Sequence, residues 1–392
     1  MKKRIIALVD CDSFFVSCEQ ADNKDYKNIP VCVISGKNGC VISRSNEAKQ
    51  LGIKMGMPVF MAKKEFPEAK YITADHVKYH KYSEKVMACL HDFSPDVQVV
   101  SVDEAFIDLT GMRKLFKMNY INIAKLIKAT IKEKTDISVS VGISLSKTLA
   151  KLAGDKAKTR GGIYTIGSRK VLSELKTTGI DEICGIGRAN SLTLRRYGIL
   201  TGYEFILQTD AWLKSKLGIN GVELRHELLG EVISEIDGIA KLPKSIQATS
   251  AICGGTFSDN INVLKSEISR HLHDACSRLR NCGGKCSAVC VLLKTKDFMT
   301  YFDRKTLIKP SDLEIVLQKS VNEIFCRIYR PNVIYRSTGI VLERIIYGNN
   351  VQLSLFDNVS IKEDKLSQCI SNLEKKFGKN SIQTLRAADN GM

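Results

Sequence analysis

The sequence predicts a multidomain α+β protein, and three observations support this. Strand and helix patterns alternate from residue 4 to 165, only helical spacing covers 166–243, and a second alternation of strands and helices covers 244–347. The length of 392 residues suggests two to four domains. Hydrophobic residues make up 44% of the chain, so it can build hydrophobic cores and is not mostly disordered.

The first segment is predicted to fold as one sheet with helices packed on it. Short apolar or alternating runs predict strands at 4–9, 27–35, 40–43, 97–109, 138–143 and 163–165. Apolar residues at helical spacing predict helices at 46–51, 77–93, 120–135 and 145–157, the last of them capped by Ser144. The strand over 97–109 is interrupted at Asp103 and Glu104, so acidic residues fall at strand ends.

The remaining segments are predicted in the same way. A linker is predicted near Leu242-Pro243-Lys244, after the helical stretch. Beyond it the pattern predicts strands at 245–254, 285–296 and 337–346 and helices at 262–280 and 311–328. A tail begins at Gly348-Asn349-Asn350.

The charge is positive and unevenly placed. The chain has 59 basic and 42 acidic side chains, a net charge of +17. Residues 1–165 carry 27 basic and 18 acidic residues (+9), 166–243 balance at 10 each, and 244–347 carry 16 and 9 (+7). Two basic blocks around a neutral one indicate a polyanion held at two places, although ordinary solubility charge would look similar.

Cysteine usage and the N-terminus indicate a cytoplasmic protein. Thirteen cysteines in 392 residues is too few for a disulfide scaffold, so we expect reduced thiols. The apolar run after the basic start ends at Asp10, too short for a signal peptide, and no stretch of about 18 apolar residues predicts a membrane span. The closest cysteine cluster, between Cys276 and Cys290, lacks a histidine at ligand spacing, which disfavours zinc.

Two groups of carboxylates are the strongest chemical signal. Asp10 and Asp12 end the first strand, and Asp103 and Glu104 interrupt a later one. Carboxylates from adjacent strands can share hard divalent cations such as Mg²⁺. Two such ions about 4 Å apart stabilise the attacking and leaving oxygens of a phosphoryl displacement. From the residues alone, a role for each aspartate as a turn or cap residue stays open.

Three further motifs suit polyanions or a partner protein. The basic helix end from Asp155 to Gly162 has two glycines that let a phosphate approach, or it is a plain helix C-cap. Two short helices joined at Gly185-Ile186-Gly187, before Arg188, are typical of a helix-hairpin-helix whose backbone binds DNA phosphate, the alternative being an ordinary helix pair. The peptide from Gln352 to Phe356 suits docking into an apolar pocket, or it forms a last strand.

Other enzyme classes lack support in the sequence. There is no Walker A loop, no His-Glu-x-x-His and no Gly-x-Ser-x-Gly motif, so kinase and hydrolase functions are not indicated.

Taken together, these motifs resemble the Y-family (translesion) DNA polymerases of the DinB/UmuC superfamily. The resemblance depends on Asp10 to Phe15, SRSNEAKQLGIKMGMP (43–58), SVDEAFIDLTG (101–111), 142–162 and the glycine hairpin, all in family order. The run Ser-Asn-Glu-Ala-Lys is similar to the UmuC-like branch. The resemblance implies a ferredoxin-like palm with small fingers at 1–165 (fingers about 25–75), a helix-hairpin-helix thumb at 166–243, a small α/β little finger at 244–347 and a tail at 348–392.

The resemblance also implies roles for individual residues. Asp10, Asp103 and Glu104 would be catalytic carboxylates that hold two Mg²⁺ ions, with the backbone carbonyl of Cys11 completing one metal site. The remaining implied contacts are a steric gate at Phe15 with Phe14 beside it, triphosphate contacts at Ser43, Lys49 and Lys158, DNA contacts at Gly185, Gly187 and Arg188, and sliding-clamp contacts at Gln352, Leu353, Leu355 and Phe356.

The sequence departs from the family pattern at a few positions. Asn46 stands where DinB-like members have an aromatic residue, and Lys49 stands where they have an arginine, whose bidentate contact a lysine cannot repeat. Gln98 stands where an acidic residue is frequent. We expect Asp12 and Asp108 to be structural.

The implied function is template-directed transfer of dNMP to a primer 3′-OH, with low fidelity, in DNA damage tolerance and repair. The implied partners are primer–template DNA, dNTP, a sliding clamp and, less directly, a regulatory subunit. Two alternatives remain at this stage. A nucleotidyl cyclase is disfavoured by the hairpin and the clamp-like peptide, and a non-catalytic accessory protein is disfavoured by the intact set of Asp10, Asp103 and Glu104.

Overall fold

The computed structural model describes residues 4–36, 39–238, 242–252, 257–348, 361–378 and 381–382. The chain divides into two compact units, Met1–Ala240 and Lys241–Met392. The finer division into four domains stays a prediction. Among the described residues, no helix combines the length and the apolar character that crossing a membrane requires.

The first unit contains eight described strands and twelve described α-helices. The strands are β1 (Ile6–Cys11), β2 (Val31–Ile34), β3 (Val41–Arg44), β4 (Lys70–Thr73), β5 (Val97–Val99), β6 (Glu104–Asp108), β7 (Val139–Ser144) and β8 (Ile163–Thr165). The helices are α1 (Phe14–Asp22), α2 (Asn46–Gln50), α3 (Val59–Glu65), α4 (His76–His91), α5 (Met112–Leu115), α6 (Tyr120–Thr135), α7 (Lys147–Ala157), α8 (Val171–Thr177), α9 (Arg188–Arg196), α10 (Gly202–Ile206), α11 (Asp210–Leu217) and α12 (Ile219–Leu228).

A five-stranded sheet is the framework of this unit, with the strand order β5-β6-β1-β7-β8. The central strand β1 runs antiparallel to both β6 and β7. All six of its residues are buried because both faces of the sheet are covered. Ala7 and Val9 belong to the core that includes residues of α4 and α6, whereas Ile6 and Leu8 pack with Ala150 of α7. The alternation along β1 places Asp10 on the face that α7 covers.

Helix α7 lies unusually close to the sheet, and a glycine makes this possible. A Cβ atom added at Gly142 of β7 would collide with the backbone of Gly154 and the carbonyl of Ala150, both in α7. The helix begins two residues later than the sequence pattern predicts. Its N-cap is Ser146, whose hydroxyl accepts from the amide of Leu149, so the predicted cap at Ser144 is wrong. Ser144 belongs to β7.

Two smaller layers complete the first unit. A three-stranded sheet, ordered β3-β2-β4, packs on α2 and α3 around Cys32, Ile34 and Ile53. Helices α8 to α12 enclose a separate apolar core that includes Leu194 and Phe205. The sequence patterns did not predict α1, α3 or β4 as elements.

The second unit is an antiparallel sheet covered by helices. Its elements are β9 (Ser245–Ala251), α13 (Ile261–Asn281), β10 (Gly284–Thr295), β11 (Thr300–Ser311), α14 (Glu314–Ile328), β12 (Tyr335–Tyr347) and α15 (Ile361–Phe377), and the strand order is β11-β10-β12-β9. Apolar side chains of α13 and α14 pack against one face of the sheet. The edge strand β11 was not predicted, and the helix predicted to start at 311 starts at Glu314.

Helix α15 is attached to α13 by a buried ion pair. The guanidinium of Arg280 donates to both carboxylate oxygens of Glu374, at 3.1 and 3.2 Å. The two side chains are 1% and 6% exposed. The hydroxyl of Ser277 also donates to Glu374, at 3.2 Å. Because a buried charge without a partner is costly, this contact depends on both residues.

Candidate active site

Two of the predicted carboxylates face each other across neighbouring strands. Asp10 of β1 is directly opposite Glu104 of β6. The ammonium group of Lys158 donates to Asp10 Oδ2 at 2.9 Å, and that of Lys151 lies 3.7 Å from the same oxygen. Lys151 also forms a close ion pair with Glu104. The close packing of α7 on the sheet thus places Lys151 and Lys158 beside the two carboxylates.

Lysine ammonium groups neutralise the carboxylates of this cluster. Burial raises the pKa of Asp10, while the hydrogen bond from Lys158 and the charges of both lysines oppose this, and Asp103 raises the pKa further. Burial lowers the pKa of Lys151 and of Lys158, but hydrogen bonds with Glu104 and Asp10 outweigh it, so both pKa values are raised. Both lysines therefore carry their charge at neutral pH.

Asp103 lies next to the pair but turns to a different partner. Its side chain accepts from the hydroxyl of Ser101, and its backbone carbonyl accepts from the amide of Cys11 at 2.8 Å. In the part of the chain that the structure describes, no three His, Cys, Asp or Glu side chains converge closely enough to hold a metal ion. The structure therefore brings Asp10 and Glu104 together. Asp103 lies beside them, but its side chain does not join them in a group that could coordinate one metal ion.

The residues nevertheless fit a hard cation. Asp10 is buried beside the charge of Asp103, and two lysines now neutralise the cluster, so positive charge is required there. The carboxylate oxygens are the donors that Mg²⁺ prefers. Burial raises the pKa of the Cys11 thiol well above its usual value, so the thiol stays protonated. The oxygen donor of Cys11 is its backbone carbonyl.

A cavity of about 730 Å³ opens beside the carboxylates. Asp10, Ser13, Lys49 and Lys158 are among the residues that line it. Ser13, which precedes α1, has left-handed backbone angles (φ 48°, ψ 47°), which are uncommon for a residue other than glycine. Such backbone strain is often found at functional sites.

Lys49 is directed toward this turn. Its ammonium donates to Ser13 Oγ at 2.9 Å and to Asn46 Oδ1 at 3.2 Å. Burial, and then the charge of Arg44, lower the pKa of Lys49. Asn46 thus orients the lysine through its side-chain amide, which gives the departure from the aromatic residue of DinB-like members a structural role.

Ser43 does not line the cavity. Its buried hydroxyl donates to the carbonyl of Ser13 at 3.2 Å and accepts from the amide of Val16 at 3.4 Å. Ser43 therefore stabilises the turn before α1 through these two hydrogen bonds. The triphosphate contact of Ser43 stays a prediction.

The two phenylalanines of α1 differ in their surroundings. Phe14 is 4% exposed and belongs to the core. Phe15 is partly buried and stacks on Tyr79 of α4, with ring centroids 4.6 Å apart. The hydroxyl of Tyr79 donates to Glu19 of α1 at 2.8 Å, so the ring under Phe15 is itself fixed.

In the predicted DNA-contacting hairpin, the element directly before the glycines is shorter than the α-helix that was predicted there. A single 3₁₀ turn at Ile180–Glu182 precedes the glycines, and α9 follows them. Gly185 has φ +98°, which favours glycine, and Gly187 is the N-cap of α9 with open space where a side chain would be. Arg188 is exposed at the start of that helix.

The structure also describes the surroundings of other residues that the sequence analysis singled out, except for the clamp-contact peptide. The clamp-contact residues Gln352, Leu353, Leu355 and Phe356 lie outside the described residues. The side chain of Asp108 accepts from the amide of Thr110 at 2.7 Å, a local structural contact. Asp12 accepts from Ser140 at 2.7 Å and also lines the cavity. Gln98 accepts from the ammonium of Lys147 at 2.6 Å, which gives this departure a partner.

Sequence reasoning missed four lysines at this site. Lys151 contacts the carboxylates, and Lys27, Lys128 and Lys132 line the cavity. A signal was present for two pairs. Lys128 and Lys132 are four residues apart on α6, and Lys151 and Lys158 are seven apart along α7 and its C-cap, so each pair shares a helix face. Lys27 gave no comparable signal.

Comparisons with known proteins agree with this geometry. Residues 9–155 match the model of the impB/mucB/samB family, and residues 243–355 match its C-terminal domain. Protein UmuC of Salmonella typhimurium is 29% identical, covering 96% of this chain and 92% of the relative. DNA polymerase IV of Dehalococcoides mccartyi is 30% identical, covering 98% of each. Because both types of relative match at similar identity, the preference for the UmuC-like branch stays a prediction.

Solved structures agree with the predicted fold class. A Y-family DNA polymerase chimera superposes with a TM-score of 0.74 at 26% identity, covering 88% of this chain and 100% of the other. DinB from Sulfolobus solfataricus superposes with a TM-score of 0.56 at 25% identity, with the same coverage. The predicted multidomain α+β class is therefore confirmed. The chain belongs to the impB/mucB/samB family, the Y-family of translesion DNA polymerases.

Proposed function

We propose that the chain adds dNMP from a dNTP to a primer 3′-OH, as a template strand directs, and releases pyrophosphate. One observation carries this most directly. Asp10, whose strand partner is Glu104, lines the cavity together with Lys49 and Lys158. Acidic groups beside cations suit a reaction in which a polyphosphate is held while one of its bonds is displaced.

Mg²⁺ is the cofactor we propose, as two ions. Asp10, Asp103, Glu104 and the backbone carbonyl of Cys11 would hold them. When bound, Mg²⁺ supplies charge stabilisation at the attacking and leaving oxygens. When no metal ion is bound, Lys151 and Lys158 neutralise the carboxylates. This pairing lowers the cost of holding these charges among buried strands.

The nucleotide would lie between the turn at Ser13 and the end of α7. Lys158 and Lys49 provide positive charge toward the triphosphate as point charges. Ser43 holds the turn that the triphosphate would contact, and Phe14 holds α1 in the core. Phe15, stacked on Tyr79, would lie beneath the sugar and collide with a ribose 2′-OH.

The remaining parts of the proposal concern DNA and partners. Gly185, Gly187 and Arg188 at the start of α9 would contact DNA phosphates, because this helix N-terminus is open. The basic residues of the second unit would bind the duplex through its phosphates. Low-fidelity lesion bypass, recruitment by a sliding clamp, a regulatory subunit and a location in the cytoplasm belong to the same proposal.

A substitution at one carboxylate tests the catalytic assignment. Asp103→Ala is expected to lower primer extension with Mg²⁺ and dNTPs by about 100-fold or more, since the cluster would lose a metal ligand. Primer–template affinity is expected to stay within a few fold, because the carboxylate repels rather than attracts DNA. Asp96→Ala, at an exposed aspartate just before β5, is the matched control and is expected to keep full extension.

The outcomes separate catalysis from folding and binding. If Asp103→Ala lost extension and primer–template affinity to the same degree, or if it extended primers like the wild type, the metal-ligand assignment would be wrong. Extension by the wild type that did not depend on Mg²⁺ and a template strand would contradict the proposed function itself.

A further inference from the structure

The cavity extends beyond the predicted nucleotide contacts into a second group of charged residues. We define the lysine annex as Lys27, Lys128 and Lys132 together with Asp136, all of which line the same cavity as Lys49 and Lys158. Lys27 lies just before β2, whereas the other three belong to α6 or its C-cap.

One aspartate organises two of these lysines. Lys27 Nζ lies 2.5 Å from Asp136 Oδ2, and Lys132 Nζ lies 2.7 Å from Asp136 Oδ1. The hydrogen bonds from Lys132 and then Lys27 lower the pKa of Asp136, so this carboxyl is ionised. Three ammonium groups and one carboxylate leave two positive charges in the annex.

Lys128 contributes a cation whose charge no carboxylate offsets. Its ammonium donates to the carbonyl of Val139, and among the residues that the structure describes no Asp or Glu lies within ion-pair distance of it. The lysine end fits because of a glycine, since a Cβ atom at Gly162 would press against Lys128 Nζ. The neighbouring Gly161 also has a positive φ (+76°) and borders open space in the cavity wall.

A structural role alone does not account for this arrangement. The side chains of Lys27, Lys132 and Asp136 are 38%, 50% and 35% exposed, and ion pairs exposed to that degree contribute little to stability. Three lysines gathered on one concave wall repel one another, and a mobile polyanion would relieve that repulsion.

We propose that the lysine annex binds inorganic pyrophosphate as it leaves the active site. This inference rests on the nucleotide position proposed above, in which Lys49 and Lys158 face the triphosphate. In the reaction the primer 3′-hydroxyl gives up its proton to solvent water, and the bond from its oxygen to the α-phosphorus forms. The bond from that phosphorus to the bridging oxygen breaks, and pyrophosphate departs with the electron pair. After the anion leaves Lys49 and Lys158, the lysines of the annex would bind it within the same cavity.

The reverse reaction measures pyrophosphate binding directly. With the full chain, primer–template DNA, Mg²⁺ and added inorganic pyrophosphate, primer shortening gives the apparent Kd for pyrophosphate, and forward extension gives that for dNTP. Lys128→Gln is expected to raise the pyrophosphate constant about tenfold, because it removes a charged hydrogen-bond donor. The dNTP constant is expected to change less than about twofold, since Lys49 and Lys158 remain.

Two further variants keep the test decisive. Lys125→Gln, at an exposed lysine of α6 outside the cavity, is the matched control and is expected to leave both constants unchanged. Lys132→Gln tests the annex independently should Lys128→Gln fail to fold, as judged by its melting temperature. For that variant the same selective loss of pyrophosphate affinity is expected.

Three results would overturn the inference. A folded Lys128→Gln variant with an unchanged pyrophosphate constant would remove the annex as a binding site. Equal weakening of dNTP and pyrophosphate would assign these lysines to the bound triphosphate, and selective loss of primer–template affinity would assign them to DNA. If the wild type neither extended nor shortened primers, the proposed function would fail instead, which is a distinguishable result.

Discussion

At the scale of single residues, the stacking of Phe15 on Tyr79 fixes the ring that we propose as the steric gate. Tyr79 is almost fully buried and donates to Glu19, so it cannot move aside easily. A ring held in this way resists displacement by an incoming hydroxyl group. If Phe15 is the steric gate, as proposed, we expect selection against ribose to depend on a fixed surface rather than on a hydrogen bond.

The first prediction concerns this ring. Phe15→Ala is expected to raise the efficiency of ribonucleotide insertion relative to deoxyribonucleotide insertion by about 100-fold, because the surface that meets the 2′-OH is removed. Single-nucleotide insertion with paired rNTP and dNTP substrates measures the ratio. Phe60→Ala, at a phenylalanine that is 74% exposed in α3, is the control and is expected to leave the ratio unchanged. Unaltered sugar discrimination in Phe15→Ala would show that the gate lies elsewhere.

Sequence reasoning identified the residues whose chemistry is visible in a local motif. Asp10 and Glu104 were expected to meet because they end or interrupt neighbouring strands, and they are directly opposite each other. Lys151 was not expected at the site, because a lysine on an amphipathic helix is usually a solvated residue. Its role depends on how closely α7 approaches the sheet, which a one-dimensional pattern does not contain.

At the scale of elements, the contact between α7 and β7 determines where Lys151 and Lys158 lie. Gly142 allows the helix backbone to approach the strand closely, and a Cβ atom added at Gly154 of α7 would crowd the side chain of Leu8 in β1. A side chain at position 142 would lift the helix and move both lysines away from Asp10. Close packing of one element thereby controls the electrostatics of another.

The second prediction follows from this contact. Gly142→Ala is expected to lower the free energy of unfolding by about 1–3 kcal/mol through overpacking and to reduce primer extension strongly. Gly167→Ala, where an added Cβ atom meets nothing within 4 Å, is the matched control, with an expected change below about 0.5 kcal/mol. Urea unfolding and extension assays measure both effects. Equal stability of the two variants would mean that α7 can shift without cost.

Element boundaries were less predictable than the elements themselves. Helix α6 was predicted over its observed range because its apolar spacing is regular, with Ile123, Ile127 and Ile131 buried on one face. Helix α1 was missed because Phe14, Phe15 and Val16 form a short apolar run that suits either a strand or a helix. Strand β11 was missed because it is an edge strand with charged residues and Pro310.

At the scale of the whole molecule, the second unit has ionic contacts in its interior. Besides Arg280 and Glu374, the ring of His273 lies 2.7 Å from a carboxylate oxygen of Glu314, and both His273 and Arg280 are buried. The sequence showed only a neutral tail after the last strand. It could not show that one glutamate of this tail neutralises a buried arginine about 90 residues earlier.

The third prediction concerns this ion pair. Glu374→Ala is expected to lower the free energy of unfolding of the second unit by about 3–5 kcal/mol, because Arg280 would be left buried without its counter-charge. Glu323→Ala, which removes the partner of Lys305 in a more exposed ion pair, is the control, and its loss of stability is expected to be much smaller. Denaturant unfolding compares the two variants. Similar losses in both would show that Arg280 finds other partners.

The buried contact between Arg280 and Glu374 also affects what happens to incomplete chains. A nonsense mutation or a proteolytic cut upstream of Ile361 would remove α15 and leave the second unit with an uncompensated guanidinium in its interior. Such a protein would populate its unfolded state more often, and cellular proteases degrade that state. Copies that lack α15 would thus be cleared faster than copies that carry it, so the ion pair between Arg280 and Glu374 links the lifetime of the chain to the presence of this helix.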